Sequence, residues 1–253
     1  MISLGLILLP LVQSSSSSAW PPSAYTHALQ TLSQLSTSEK VQLVSGQNNK
    51  YGQKCGKPCD YVGFIPGIPR LAISSVYLED GPQGVADGMK EVTAWPSAMT
   101  VAQTWDATLM KQWGAAMGAE QKAKGSNVML GPAVALVRVP WSGRNFEYIS
   151  EDPYLNSLLT GPLVQGIQSN NISACVKHWI FNSQENERQS MSANVAEGVG
   201  RELYAPPYAA AVGECLISLF SLSPSFLTAS RAPITHTHAN TRNARCWRGK
   251  RNV

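Results

Sequence analysis

Short apolar runs alternate with longer segments of helical period along most of the chain, and that alternation predicts the fold. Leu71 to Leu78 is the first credible strand, ended by a polar turn at Glu79-Asp-Gly-Pro82. After Asp106, a side chain suited to capping a helix, Leu109, Trp113, Ala116 and Met117 recur at helical spacing until Gly125. Asn127 to Leu130 then reads as a strand closed by Gly131-Pro132. A helix over about 155–168, with Leu158, Leu159 and Ile167 apolar and Gly161-Pro162 predicted to interrupt and kink it, feeds a strand at Ile172 to Val176. A further helix is predicted over 193–211, although Gly198 and Gly200 each weaken it by about 1 kcal/mol relative to alanine. Upstream, 24–35 and 38–45 predict two short helices, the second opened by Ser36 or Thr37 and stopped by Gly46. The glycine- and proline-rich stretch 47–69 reads as an ordered loop.

Strands of four to eight residues between longer helices imply βα units and a parallel sheet, open or closed into a barrel. Asp80, Gly131-Pro132 and Lys177-His178 all fall at the C-terminal ends of strands, where (β/α)8 barrels assemble their sites. An open sheet also binds ligands beyond its strand ends. No G-x-G-x-x-G follows a strand, so no nucleotide cofactor is expected.

The 43 % apolar content is ample for a core. The net charge of +4 is unevenly placed: residues 214–253 hold six Lys/Arg against the single acid Glu214, and the remainder is close to neutral. His236, His238 and Trp247 among those bases lack periodicity or a binding signature, so no nucleic-acid partner is inferred. Ile2 to Val12 is too short to span a bilayer and suits the core of a secretory signal, with Ser17-x-Ala19 as its cleavage site, so residues 1–19 are assigned as a signal peptide and the protein is expected to be secreted. Cys55 and Cys59, with three residues between them, suit a small structural disulfide in an oxidising compartment, or two separate thiols. Four dispersed histidines and no ligand-spaced cluster give no metal site. Asn171-Ile-Ser173 is a glycosylation sequon.

Asp80, between a strand and a Gly-Pro turn, is placed either to accept bonds from two vicinal hydroxyls or to cap its own turn. Arg144, in a Gly-x-Asn loop before Phe146 and Glu147, can bind a hydroxyl pair or hold a neighbouring carboxylate. Asp152-Pro153 more naturally opens the following helix. Lys177 must emerge from a buried strand, and a turn there would bring His178 to the same rim; a core histidine is the alternative for His178 and leaves Lys177 unexplained. Of seven tryptophans, Trp141 and Trp179 have neighbours that support a rim role, and Asn182, Gln184, Glu185 and Arg188 suit a polar wall.

Glu79-Asp-Gly-Pro-Gln-Gly84, Thr104-Trp-Asp106, Lys124-Gly-Ser-Asn-Val128, Gly143-Arg-Asn-Phe-Glu147, Ser150-Glu-Asp-Pro-Tyr-Leu155, Lys177-His178, Gln184-Glu185 and Arg201-Glu-Leu-Tyr204, in that order, resemble the N-terminal domain of glycoside hydrolase family 3, in its secreted β-glucosidase-like members. The resemblance covers residues 36–213. It implies a (β/α) barrel domain that binds a β-linked glucoside or oligosaccharide, with Asp80, Arg144, Lys177 and His178 on the terminal glucose and no cofactor or metal. It also implies hydrolysis of O-glycosyl bonds with retention, through an aspartate late in the barrel and a glutamate from a following domain. After Gly213 the pattern departs from the family, and no aspartate follows Asp152, so neither catalytic carboxyl can be assigned. The expectation is therefore an incomplete (β/α)8 barrel over 20–213, a divergent and poorly packed tail over 214–253, and a chain inactive by itself. The alternative is a noncatalytic secreted sugar-binding protein.

Overall fold

The computed structural model describes residues 22–46, 61–86 and 88–214. The signal segment, the Cys55–Cys59 pair and the tail beyond residue 214 lie outside these. By contacts the chain divides between Val41 and Gln42. The first unit contains helix α1 (Pro22–Gln34), and helix α2 (Thr37–Val44) begins in it. The start of α2 is a capping box: the Ser36 hydroxyl accepts from the Glu39 N–H at 3.3 Å, and the Glu39 carboxylate accepts from the Ser36 N–H at 2.8 Å.

The second unit is built on a four-stranded sheet in the order β1 (Gly63–Ile65), β2 (Val76–Asp80), β3 (Val128–Leu130) and β4 (Ser173–Ala174). β2, β3 and β4 are parallel, with Asp80 opposite Leu130 and Met129 opposite Ala174. Among the described residues the sheet is open, with β1 and β4 at its edges, as an incomplete barrel requires. Two expectations need correction at β1 and β2. Gly63–Ile65 lies in the stretch read as loop, and it pairs antiparallel to β2; buried Phe64 stacks on Tyr77 at 5.3 Å between ring centroids. β2 starts at Val76 rather than Leu71, because Pro69–Leu71 forms a 3-10 turn followed by Ala72 at φ 55. Proline fixes φ for such a turn, which divides the apolar run before it can become one strand.

Helix α3 (Ala98–Ala102), not anticipated, is capped by Ser97. Helix α4 (Ala107–Ala123) is capped as expected by Asp106, whose carboxylate accepts from Thr108 and Leu109 N–H at 2.8 and 3.1 Å. Helix α5 (Pro153–Gln168) is capped by Asp152 with proline in its first turn. It runs through Gly161 and Pro162 as one element where an interruption was predicted. Packing overrides the local breaker, since Leu159, Leu163, Val164 and Ile167 are fully buried against the core shared with α4. The two helices cross at glycines: a Cβ on Gly166 would come within 2.1 Å of the Lys111 carbonyl oxygen, and one on Gly114 within 2.5 Å of the Leu163 carbonyl oxygen. The last predicted helix is instead three pieces, α6 (Glu197–Val199), a π-turn (Gly200–Tyr204) and α7 (Pro206–Glu214). Pro206 and Pro207 lack the donors that would continue a ladder, so the helix restarts there. No helix among the described residues is long and apolar enough to cross a membrane.

Candidate functional site

Asp80 ends β2, and its backbone is held from the α4 side, where the buried Gln121 amide donates to the Asp80 carbonyl at 3.0 Å. Gly81 allows this approach, because a Cβ there would stand 2.6 Å from the Gln121 amide nitrogen and 2.7 Å from Met129 Cγ. Beyond β3 and β4 the pairing continues. The Lys177 N–H donates to the Pro132 carbonyl at 3.0 Å, and the Val134 N–H to the Lys177 carbonyl at 2.8 Å. The extension of β4, held by that of β3, therefore carries the Lys177 ammonium, which lies 3.3 Å from Asp80 Oδ1 and 3.6 Å from Glu147 Oε2.

Glu147, 4 % exposed, closes a short 3-10 turn (Asn145–Glu147) at the end of the arginine loop. That loop is shaped by its own polar groups: the Ser142 hydroxyl bonds the Asn145 carboxamide oxygen at 2.6 Å, and the Asn145 amide donates to the Val139 and Pro140 carbonyls at 2.8 and 3.0 Å. Arg144 donates through Nη1 to Glu147 at 2.8 Å and through Nε to Glu185 at 2.6 Å. Burial opposes the Arg144 charge, but its bonds to Glu185 and Glu147 outweigh that and raise its pKa further. Burial also pushes the Glu185 carboxyl up, and the bonds from Arg144 and Asn182 with the charges of Arg144 and Arg188 carry it below the usual range.

The peptide bonds Lys177–His178 and Trp179–Ile180 are cis. Both Lys177 and His178 approach Glu147, with His178 Nδ1 3.7 Å from Glu147 Oε1. His178 is fixed by two tyrosines: its Nδ1 lies 3.3 Å from the Tyr148 hydroxyl, and its carbonyl accepts from the Tyr208 hydroxyl at 2.6 Å. Burial, followed by the charges of Lys177, Arg144 and Arg188, pushes the imidazole pKa down to about 2. The ring is therefore neutral at physiological pH, and its contact with Glu147 is not an ion pair. Burial and then Glu147 raise the Tyr148 pKa, so that hydroxyl keeps its proton and is able to donate to Nδ1. In that arrangement the histidine proton sits on Nε2.

The structure thus brings Asp80, Arg144, Lys177 and His178 into one network centred on Glu147. Counting Glu185 and Arg188, three carboxylates face three cations around a neutral histidine, and the balance suits an uncharged polar ligand better than an ion. Among the described residues no group of three or more His, Cys, Asp or Glu side chains could hold a metal ion. Trp141 is 86 % exposed and Trp179 52 % exposed, the latter edge-on to Tyr208 with ring centroids 5.1 Å apart. Asn171, exposed with φ 56, lies at the turn before β4, at the opposite end of that strand from Lys177. Tyr148 and Tyr208 escaped sequence reasoning. Adjacency to Glu147 could have flagged the first, whereas nothing in sequence ties Tyr208 to a histidine thirty positions away.

Comparison with known families matches residues 67–221, more than half of the chain, to the glycosyl hydrolase family 3 N terminal domain. This chain belongs to glycosyl hydrolase family 3. Among curated proteins it is 40 % identical over 190 residues to the probable beta-glucosidase L of Aspergillus terreus, covering 75 % of this chain and 25 % of that protein. Among solved structures it resembles beta-glucosidase 3B from Thermotoga neapolitana in complex with glucose, at TM-score 0.68 and 34 % identity, covering 74 % of this chain and 28 % of the other. It likewise resembles DesR, a beta-glucosidase from Streptomyces venezuelae in complex with D-glucose, at TM-score 0.68 and 33 % identity over 74 % and 23 % of the two chains. The chain spans about a quarter of the length of the curated relatives such as that Aspergillus protein.

Proposed function

We propose that this chain carries the glucose-recognising part of a β-glucosidase, gripping the terminal glucosyl unit of a β-glucoside or short β-glucan through Asp80, Arg144, Lys177 and His178. The observation that carries the reading is the charge-balanced cluster at the C-terminal ends of the parallel strands. Asp80 offers acceptors, Lys177 and Arg144 offer donors, and neutral His178 offers one N–H, which together match the alternating donor and acceptor character of ring hydroxyls. The exposure of Trp141, three residues before Arg144, and of Trp179, directly after His178, supports a stacking role for both at the rim. Relatives solved with glucose support the choice of sugar.

Retaining hydrolysis needs two carboxyls about 5–5.5 Å apart across the anomeric carbon, one as nucleophile and one as acid and base. Asp80, Glu147 and Glu185 are each engaged by cations here, and no aspartate follows Asp152. These 253 residues therefore bind the sugar without turning it over. The test is to measure D-glucose binding by titration calorimetry and aryl β-glucoside hydrolysis on the same preparation, with a full-length family 3 β-glucosidase as control. Binding that is lost in D80A, with no turnover, is expected. Turnover near the control rate would overturn the noncatalytic part of the reading, and no binding at all would overturn the site.

Secretion and N-glycosylation at Asn171 belong to the same proposal. The apolar segment Ile2 to Val12 and the exposed turn position of Asn171 support them. Expression with the native N-terminus in a eukaryotic secretory host should yield protein in the medium whose mobility shifts on endoglycosidase treatment, and Asn171→Gln should abolish the shift. Retention in the cytosol without glycan would refute both.

A further inference from the structure

Arg144 has three nitrogen groups able to donate, and two are committed to carboxylates: Nε to Glu185 at 2.6 Å and Nη1 to Glu147 at 2.8 Å. Nη2 has no protein acceptor among the described residues. Glu185 is itself anchored by more than Arg144. Its Oε1 also accepts from the Asn182 amide at 2.7 Å, and its Oε2 accepts from Arg188 Nη1 at 2.7 Å. The arginine loop is shaped to receive it, since Gly143 has φ 87 and a Cβ there would stand 2.9 Å from Glu185 Cγ. A side chain at position 143 would push Glu185 away and strain the turn.

A planar guanidinium held by one contact can rotate about it, whereas two contacts on different edges fix its plane. We propose that Glu185 is a positioning residue for ligand recognition: with Glu147 it locks the Arg144 guanidinium so that Nη2 is presented to one hydroxyl of a bound glucosyl ring. This rests on the glucose-binding reading above. Glu185 touches no sugar in this scheme and acts only through Arg144, with Asn182 and Arg188 holding it in turn. A surface ion pair that merely tidies a loop would affect folding but would not discriminate between sugars that differ by one hydroxyl.

That difference supplies the test. Binding of D-glucose and its 3-deoxy, 4-deoxy and 6-deoxy analogues is measured by titration calorimetry or saturation-transfer NMR on the whole chain and on its R144A, E185A, E185Q and R144A/E185A variants, with thermal melts as folding controls. R144A should weaken glucose about tenfold, as loss of one charge-assisted bond predicts, and should leave unchanged the one analogue that lacks the hydroxyl Arg144 contacts. E185A should weaken glucose several-fold with that same analogue spared. E185Q, which keeps an acceptor of the same shape, should fall between E185A and the parent, and it carries the test if E185A does not fold. The double variant should be no weaker than R144A. Parent-like glucose binding by E185A or E185Q, uniform weakening across all analogues, or losses that add in the double variant would each overturn the positioning role. Absence of glucose binding by the parent chain would overturn the underlying site and this inference with it.

Discussion

Replacing Glu147 by alanine should cost more stability than any other single change in the site. Its carboxylate is 5 % exposed, accepts from Arg144 at 2.8 Å and lies 3.6 Å from the Lys177 ammonium, while those two cations are only 19 % and 17 % exposed. Removing one partner of a buried pair leaves charge that cannot be rehydrated, a loss of about 3–5 kcal/mol. Here Glu185 still accepts from Arg144 and Asp80 still faces Lys177, so the lower end, about 3 kcal/mol, is the appropriate figure. For a protein of this size 1 kcal/mol moves the melting temperature by about 2–4 °C, so E147A should melt roughly 6–12 °C below the parent. E147Q keeps the shape and one acceptor for Arg144, and should lose about 1–2 kcal/mol. Circular dichroism melts at neutral pH measure both. An E147A melting point within about 2 °C of the parent would mean that Glu147 does not hold the cluster together.

Gly166→Ala drives a methyl group to 2.1 Å from the Lys111 carbonyl oxygen and should destabilise by about 3 kcal/mol, whereas Gly198→Ala, with nothing within 4 Å, should be neutral or stabilising by up to about 1 kcal/mol; denaturant titration of both tests the helix crossing. His178 is neutral in the folded protein down to a pKa of about 2, while the unfolded chain protonates near the ordinary value of 6.5. Its contribution to stability is therefore flat above pH 6.5 and falls by about 1.4 kcal/mol per unit as pH drops below it. His178→Asn should flatten that limb of a stability–pH curve, and an unchanged slope would refute the burial argument. Tyr208→Phe removes the bond to the His178 carbonyl and should cost about 1 kcal/mol, measurable in the same melts, with glucose binding weakened alongside.

Legibility of the fold followed the length of the periodic signal. α4 and α5 were readable because apolar spacing persists over four turns and Asp106 and Asp152 sit where an N-cap must be. β2 was read too early and runs on through Glu79 and Asp80, which pair with β3. β3 and β4 were read at the right places but too long, since a strand of two or three residues carries almost no period-two signal and ladder bonds, not propensity, set its ends. β1 was missed for the same reason, hidden in a stretch whose glycines and prolines outweigh three residues of pattern. The break at Pro206 shows the converse error. A helical period continued on both sides of it, and the backbone chemistry of two consecutive prolines decided the outcome.

The site was legible where the parallel sheet determines it and opaque where side chains meet across loops. A residue that ends a strand is placed by the sheet alone, so Asp80 and Lys177 could be brought together from sequence as soon as the strands were assigned in parallel, and they lie 3.3 Å apart. Glu147, by contrast, could only be left as a possible partner of Arg144. Its place at the centre depends on a loop whose shape comes from Ser142, Gly143 and Asn145, and no periodicity encodes that shape. The tyrosines that fix His178 lie further out still, one directly after Glu147 and one on α7. The neutrality of His178 follows first from its burial, on which no motif reports, and then from the charges of Lys177, Arg144 and Arg188, of which the first two are motif residues. A charge-balanced cluster of this kind is collective: Lys177 stands between Asp80 and Glu147, and Arg144 between Glu147 and Glu185, so each of these two cations is shared by two carboxylates. The quoted motifs thus bring the charged groups of the cluster together, while Tyr148, Tyr208, Asn182 and Arg188, which lie outside them, complete the contacts of His178 and Glu185.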